Sequence, residues 1–149
     1  MATSTSRIPR VFLDSSVLFA AAYSDRGSAH DLLLAATEGR IALVLSEYVI
    51  DETQRNVLRR ASHLHTAFGF LRDDLPYRLA DPTDALIVDT ARVVVAKDAP
   101  VIAAARTARV RIVATYDRRH LLSRRDEILA AFGITVATPS EILSALPNP

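Results

Sequence analysis

Short apolar runs alternate along this chain with longer segments in which apolar residues recur at helical spacing. Buried strands are predicted over residues 10–14, 41–45, 111–115 and 134–137. Helices are predicted over residues 16–23, 29–37, 46–60, 61–74, 101–109, 126–131 and 139–146. Strands separated by helices favour a mainly parallel central sheet with helices on both faces, an α/β/α sandwich of the α/β class.

The segment from residue 77 to residue 98 has the least regular pattern. Pro76 ends the helix before it, because proline has no N–H group with which to continue a helix. The valines at 93–95 are compatible with a strand, whereas residues 86–94 are also compatible with a helix. The pattern alone does not choose between these two interpretations.

Length and composition indicate one compact domain. The chain has 149 residues, half of them hydrophobic, and we expect a polar tail over residues 1–9 and a single domain over residues 10–146. The apolar runs are too short for a membrane span, and the polar start lacks the apolar stretch of a secretory signal. The chain has no cysteine, which excludes disulfides and thiolate metal sites. We therefore expect a cytoplasmic protein.

Acidic residues stand at several junctions between predicted elements. Asp14 and Asp117 follow apolar runs, Asp98 begins a helix, and Glu52 lies on the helix that Ser46 begins. In an open α/β sheet the carboxyl ends of the strands meet at one edge, where binding sites are usually formed. Carboxylates gathered there repel one another, so a hard divalent cation is the first ligand to expect. The chain has no His-Glu-x-x-His pair and no cysteine ligand, which argues against zinc.

Each acidic residue also has a purely local interpretation. Asp14 and Asp98 are suitable helix caps, and Asp117 is a common turn residue. Glu52 is compatible with a solvated helix face. Other acidic residues compete for the same roles: Glu47 and Asp51 with Glu52, and Asp84 and Asp89 with Asp98.

Four segments together resemble the motifs of the PIN-domain ribonucleases, in the order in which that family has them. Residues 11–18 are similar to its opening motif, an apolar strand followed by aspartate and small polar residues. Residues 46–52 are similar to its capped helix with an inward glutamate, and residues 97–105 to its third motif. Residues 112–117 resemble the fourth motif, a strand that ends in Thr-x-Asp. The likeness extends over residues 10–143.

The resemblance implies a divalent metal site that holds Mg²⁺ or Mn²⁺. Its implied ligands and catalytic residues are Asp14, Glu52, Asp98 and Asp117. Thr115, Ser15 and Ser16 are expected to support this site through their hydroxyl groups. Ser16 stands where the family most often has asparagine, and its shorter reach puts the geometry around the ligands in question.

The net charge of +1 does not by itself indicate a nucleic-acid partner. Basic residues nevertheless lie close in sequence to the acidic candidates: Arg55, Arg59, Arg60, Arg118, Arg119, Arg124 and Arg125. Arginines on solvated helix faces are equally ordinary. We expect Tyr116, Arg118, Arg119 and His120 to contact RNA phosphates or to stack on a base. None of the four histidines (His30, His63, His65 and His120) has triad partners at a suitable spacing, so we expect none to be catalytic.

The function expected from these residues and this resemblance is metal-dependent endoribonuclease activity, which hydrolyses RNA phosphodiester bonds. Family membership would further imply the toxin of a toxin–antitoxin pair, an antitoxin protein that covers the site, and a homodimer. One alternative is a non-catalytic PIN-like scaffold that binds RNA or protein. Others are a metal-dependent phosphatase, which usually has a second aspartate where this chain has Ser16, and a receiver-type domain.

Overall fold

A computed structural model describes residues 7–148 of the chain. The strands in this range are β1 (Arg10–Leu13), β2 (Ala42–Leu45), β3 (Tyr77–Leu79), β4 (Ile112–Ala114) and β5 (Thr135–Ala137). The α-helices are α1 (Ser15–Tyr23), α2 (Ser28–Thr37), α3 (Glu47–Arg60), α4 (His65–Asp74), α5 (Asp84–Thr90), α6 (Ala99–Thr107), α7 (Arg125–Phe132) and α8 (Pro139–Ala145). Short 3₁₀ turns at Ser62–Leu64 and Leu122–Arg124 precede α4 and α7.

The strands form one parallel sheet in the order β3-β2-β1-β4-β5, which confirms the predicted α/β class. β1 is central, with Phe12 opposite Val44 on one side and Val113 on the other. The apolar side chains of β1 are fully buried, as expected for a strand covered on both faces. Along the chain, β2 and β3 are added on one side of β1, and β4 and β5 are then added on its other side. The direction of strand addition therefore reverses between β1 and β4. Ligand sites of open α/β sheets lie at such a reversal.

Three parts of the sequence-based prediction differ from the structure. β3 was not predicted, because it is a three-residue edge strand after Pro76 whose side chains are half-buried or exposed. The valines at 93–95 form no strand; they lie in turns between α5 and α6, and α5 ends at Thr90. The helix predicted over 61–74 is divided into a 3₁₀ turn and α4. The tail predicted over 1–9 falls mostly outside the described residues, of which Arg7 and Ile8 are exposed.

Ser46 begins α3 as predicted. Its side chain accepts a hydrogen bond from the Val49 N–H at 3.2 Å, which satisfies one of the otherwise unpaired amides of the first turn. α3 carries Glu47 in its first turn and Arg59 and Arg60 in its last, charges that complement the helix dipole. Glu52 therefore lies in the second turn of a helix that begins directly after β2.

Among the residues that the structure describes, no helix is both long enough and apolar enough to cross a membrane.

Arg106 lies on α6 and contacts residues of both α5 and α7. Its Nη1 lies 2.8 Å from Asp89 Oδ2 and 3.0 Å from Thr90 Oγ1, and its guanidinium carbon lies 4.2 Å from the centre of the Phe132 ring. The Arg106 side chain is 24% exposed, so this charge-assisted bond is partly shielded from water. The contact connects α5 to α6 and α7.

We expect Arg106→Gln to lower the free energy of unfolding by about 1–3 kcal/mol, because a hydrogen-bonded charge pair and a cation–π contact are lost together. Urea unfolding followed by circular dichroism measures this. Arg92→Gln is the matched control, since Arg92 approaches the same carboxylate at 3.9 Å with a 79% exposed side chain. Its expected effect is below about 1 kcal/mol. Equal effects of the two substitutions would contradict the role given to Arg106.

Candidate active site

The Asp14 side chain connects the carboxyl end of β1 to that of β4, the two strands between which the strand order reverses. Its Oδ1 accepts the Ser15 N–H at 2.8 Å and thereby caps α1. Its Oδ2 accepts hydrogen bonds from Thr115 Oγ1 at 2.7 Å and from Ser16 Oγ at 3.0 Å. The capping interpretation of Asp14 is therefore correct, and the same carboxylate also faces the end of β4.

The hydroxyl groups of Thr115 and Ser16 fix the backbone that follows β4. Thr115 Oγ1 accepts the Asp117 N–H at 3.0 Å, and Ser16 Oγ accepts the Tyr116 N–H at 3.0 Å. Ser16 thus reaches both Asp14 and the turn in spite of its short side chain. These bonds hold Asp117 at a defined position relative to Asp14.

Glu52 is the acidic residue of α3 that points toward this region. It is half-buried, and its Oε1 accepts a short hydrogen bond from Ser15 Oγ. Glu47 and Asp51, which compete with it in the sequence, are both exposed. Ser15 therefore connects the amino end of α1 to α3.

Asp98 is buried, with 8% of its surface exposed, and stands at the amino end of α6. Its side chain makes no capping hydrogen bond, so the capping interpretation of this residue is wrong. Within residues 7–148, Asp98 Oδ2 is buried and has no hydrogen-bond partner. Of its competitors, Asp84 is exposed and Asp89 is paired with Arg106. A buried, unpaired carboxylate oxygen is costly, so it requires an explanation.

Asp117 and His120 form a turn that faces Asp98. Asp117 Oδ1 accepts the N–H groups of Arg119 and His120 at 3.1 and 3.0 Å, which agrees with the turn interpretation. The His120 Nδ1 lies 3.4 Å from Asp117 Oδ2 and 3.6 Å from Asp98 Oδ2. One ligand atom from each of the three residues lies within 4.8 Å of the other two, a spacing suitable for one metal ion.

The carboxylates influence one another electrostatically. Burial raises the pKa of Asp98, and the charges of Asp117 and Asp14 raise it further, against the opposing effects of His120 and Lys97. Burial likewise raises the pKa of Asp14, Glu52 adds to that effect, and the hydrogen bonds to Asp14 oppose it. Asp14 is connected to Asp117 through Thr115, and Glu52 to Asp14 through Ser15, but neither Asp14 nor Glu52 belongs to the group of three at metal-ligand spacing.

Tyr48 belongs to this region although the sequence did not indicate it. Its hydroxyl donates to the Lys97 carbonyl at 3.4 Å, just before Asp98. Burial, together with the charge and hydrogen bond of Glu52 and the charge of Asp98, raises the pKa of Tyr48 to about 12. Tyr48 lies one helical turn before Glu52, so both side chains extend from the same face of α3. That spacing is the one sequence signal that could have indicated Tyr48.

The residues present fit a hard divalent cation. The donor set consists mainly of carboxylate oxygens, which Mg²⁺ and Mn²⁺ prefer, and the histidine is also acceptable to Mn²⁺. A cation would supply the partner that Asp98 Oδ2 lacks among the described residues, and it would offset the repulsion between the carboxylates.

The residues predicted to contact RNA are neighbours of Asp117 in the chain. Tyr116, Arg118 and Arg119 are exposed and follow directly from the end of β4 beside Asp117. Of the four histidines, only His120 belongs to the group of potential ligands found in the described part of the chain. His120 therefore has a more central position than its sequence context suggested.

The parallel sheet and the helices on both faces give a PIN-like fold, which the chain shares with several solved structures. VapC20 of Mycobacterium tuberculosis, a sarcin-ricin loop cleaving toxin, is 18% identical with a TM-score of 0.54 over 73% of this chain and 91% of that one. FitAcB of Neisseria gonorrhoeae is 18% identical with a TM-score of 0.56 over 87% and 98% of the two chains. PAE2754 of Pyrobaculum aerophilum is 16% identical with a TM-score of 0.59 over 92% and 94%.

Sequence comparison adds nothing to this structural likeness, since no family model and no curated protein matches the sequence. The resemblance read from the four motifs is thus confirmed for the fold.

Proposed function

We propose that this protein is an endoribonuclease that depends on Mg²⁺ or Mn²⁺ and hydrolyses RNA phosphodiester bonds. The observation that carries the proposal is the buried Asp98 Oδ2, which has no hydrogen-bond partner among the described residues and faces Asp117 and His120 at a spacing suitable for one metal ion. Such a concentration of negative charge opposes folding unless a cation is bound there, which indicates that the site serves ligand binding rather than stability.

The four acidic side chains are held by different hydrogen bonds, from which we infer different roles. Asp14 is held by three hydrogen bonds, which suits a fixed metal ligand. Asp98 supplies the unpaired oxygen, and Asp117 adds a carboxylate held by its own turn. Glu52, held by Ser15, adjoins Asp14. When bound, a divalent cation neutralises charge on a phosphate and lowers the pKa of water.

The substrate and partners follow from the same proposal. Exposed Arg118 and Arg119 beside the cluster are suitably placed to hold RNA phosphates, and exposed Tyr116 to stack on a base. Because VapC20 is a toxin, we further propose that this protein is the toxin of a toxin–antitoxin pair, is inhibited by an antitoxin protein and forms a homodimer.

The experiment that tests the activity is incubation of the purified protein with RNA and with single-stranded DNA. Each nucleic acid is tested with Mn²⁺, with Mg²⁺ and with a chelator. We expect RNA cleavage that needs the metal and stops with the chelator. Cleavage that persists in the chelator would contradict a metal-dependent mechanism. Metal binding without cleavage of any RNA would favour a non-catalytic scaffold.

Tyr48 provides a finer test, because its hydroxyl donates to the Lys97 carbonyl just before Asp98 and its side chain lies one helical turn from Glu52 on α3. We expect Tyr48→Phe to lower kcat for RNA by about 10-fold or more, with KM little changed, since groups that orient metal ligands have effects of this size. Mn²⁺ affinity measured by calorimetry should fall with it. Tyr77→Phe, on the edge strand β3, is the control. Unchanged kcat and Mn²⁺ affinity would show that Tyr48 does not position the ligands.

A further inference from the structure

A second charged feature lies at the opposite end of the sheet from the carboxylates. A cleft of about 590 Å³ opens beside the amino ends of β1 and β4. It is lined by Arg7, Pro9, Arg10, Arg109, Arg111 and Ile112, with no acidic residue among them. We name it the arginine cleft. The same strands that carry Asp14 and Thr115 at one end carry Arg10 and Arg111 near the other, about 13 Å away at the rise of a parallel strand.

No carboxylate of the described residues neutralises the guanidinium groups of the arginine cleft. Among residues 7–148, none of the four makes a salt bridge. Arg10 has a structural task, since it donates to the carbonyl oxygens of Ala108 and Arg109 at 2.9 and 2.8 Å after the end of α6. Arg7, Arg109 and Arg111 are exposed and make no side-chain hydrogen bond within this range. Three like charges in one cleft without a partner favour an anionic ligand.

Arg109 occupies a backbone position that favours glycine. Its φ is 55°, and it is the only residue other than glycine with positive φ in residues 7–148. The Val110 N–H bonds to the Ala105 carbonyl and the Arg109 N–H to that of Arg106, the pattern of a helix end that requires a left-handed residue. α2 ends with the same pattern, and there the chain uses Gly39 with φ of 76°.

An arginine at this position carries a conformational cost that glycine avoids. A positive charge near a helix carboxyl end also interacts favourably with the helix dipole, which offsets part of that cost. Lysine or arginine elsewhere in the last turn would provide the same benefit without strain, and Arg106 already lies there. A strained residue that adds charge to an uncompensated cleft points to binding.

We propose that the arginine cleft binds phosphate groups of a nucleic-acid backbone, at a surface separate from the carboxylate site. Guanidinium groups bind phosphate oxygens through paired hydrogen bonds, and the described lining has no aromatic side chain on which a base would stack. Binding is therefore independent of base sequence and sensitive to salt. The choice of nucleic acid over an acidic protein rests on the proposed nuclease function.

The test compares two variants that each lose two positive charges. Arg109→Gly with Arg111→Gln removes charge from the cleft, and Arg60→Gln with Arg78→Gln removes it from exposed positions outside the cleft. Binding of a fluorescein-labelled 20-nucleotide RNA is measured by anisotropy in a chelator, so that no cleavage occurs. We expect the cleft variant to lose about tenfold or more in affinity and the control variant to change little. The slope of log K against log[salt] should fall by about 0.7 for each lost phosphate contact.

The outcomes separate this proposal from the nuclease proposal. Equal affinities of the cleft variant and the control variant would overturn the arginine cleft as a phosphate surface, even if the wild type cleaves RNA. Selective loss of RNA binding in the cleft variant would support it, even if no cleavage is found. Cleft-dependent binding of poly-glutamate without cleft-dependent binding of RNA would assign the surface to an acidic protein and overturn the proposal.

Arg109→Gly alone distinguishes binding from helix termination. Because glycine adopts positive φ without strain, we expect this variant to keep or raise the Tm of the wild type while it weakens RNA binding. A lower Tm with unchanged RNA affinity would show that Arg109 serves only the end of α6.

Discussion

Asp14→Asn is expected to abolish metal-dependent RNA cleavage, with a loss on the order of 10²–10³-fold or more in kcat, the range seen when an electrostatic contact to the transition state is removed. The substitution removes the charge of Asp14 and changes its volume little. Rates of Mn²⁺-dependent cleavage, measured under single-turnover conditions, give this loss directly.

The fold should survive Asp14→Asn, which makes the loss of activity interpretable. The asparagine carbonyl can still accept the Ser15 N–H that caps α1. The asparagine NH₂ cannot accept the hydrogen bonds that Thr115 and Ser16 donate to Oδ2, but burial disfavours the charged form of Asp14, so loss of the charge offsets part of this cost and the variant should remain folded. Asp51→Asn is the control, because it removes an exposed carboxylate next to Glu52 and should cleave RNA as the wild type does. Full cleavage by a folded Asp14→Asn protein would rule out the assignment of Asp14 as a ligand.

Asp98→Asn should have the largest effect on stability. At neutral pH and without metal, we expect it to raise the free energy of unfolding by about 1–3 kcal/mol, because it removes a buried negative charge that Asp117 and Asp14 repel. The variant should at the same time lose the stabilisation that metal gives the wild type, which is about 2.7 kcal/mol at a metal concentration of 100 Kd. Thermal unfolding with and without Mn²⁺ measures both effects.

The difference in free energy of unfolding between Asp98→Asn and the wild type depends on pH in a direction that the pKa of Asp98 determines. Burial raises the pKa of Asp98 above its ordinary value of 3.8, so the folded protein binds more protons than the unfolded chain between these two values. The contribution of Asp98 to stability is therefore fully present below pH 3.8 and is lost as pH rises through the raised pKa. The free energy of unfolding of Asp98→Asn should therefore exceed that of the wild type by an amount that grows between pH 3.8 and the raised pKa and then remains constant. An advantage of the exposed control Asp84→Asn with the same size and pH profile would contradict this account.

The sequence predicted the central strands because each is an uninterrupted apolar run, as complete burial on both faces requires. β3 lacked that signal, since an edge strand of three residues buries too little to leave a pattern. The acidic positions were found because the strand ends of a parallel sheet converge, which depends on topology rather than on local detail.

The remaining features of the site depend on distances that no local pattern contains. Asp14 and Asp98 have equally good capping contexts, yet only the Asp14 side chain caps a helix. The turn after β4 brings His120 close to Asp98, and one face of α3 brings Tyr48 to the backbone just before Asp98, although Tyr48 is far from Asp98 in the sequence. Neither residue belongs to a sequence motif that predicts a catalytic or metal-binding role.

The central claim is that these carboxylates hold a divalent ion together. Crystals of the protein grown with Mn²⁺ and measured near the manganese absorption edge would show the ion by its anomalous scattering. We expect a peak in contact with Oδ2 of Asp98 and with carboxylate oxygens of Asp117 and Asp14. Well-ordered crystals in millimolar Mn²⁺ with no peak there, or with peaks only at other surface carboxylates, would contradict the metal site and the nuclease function built on it.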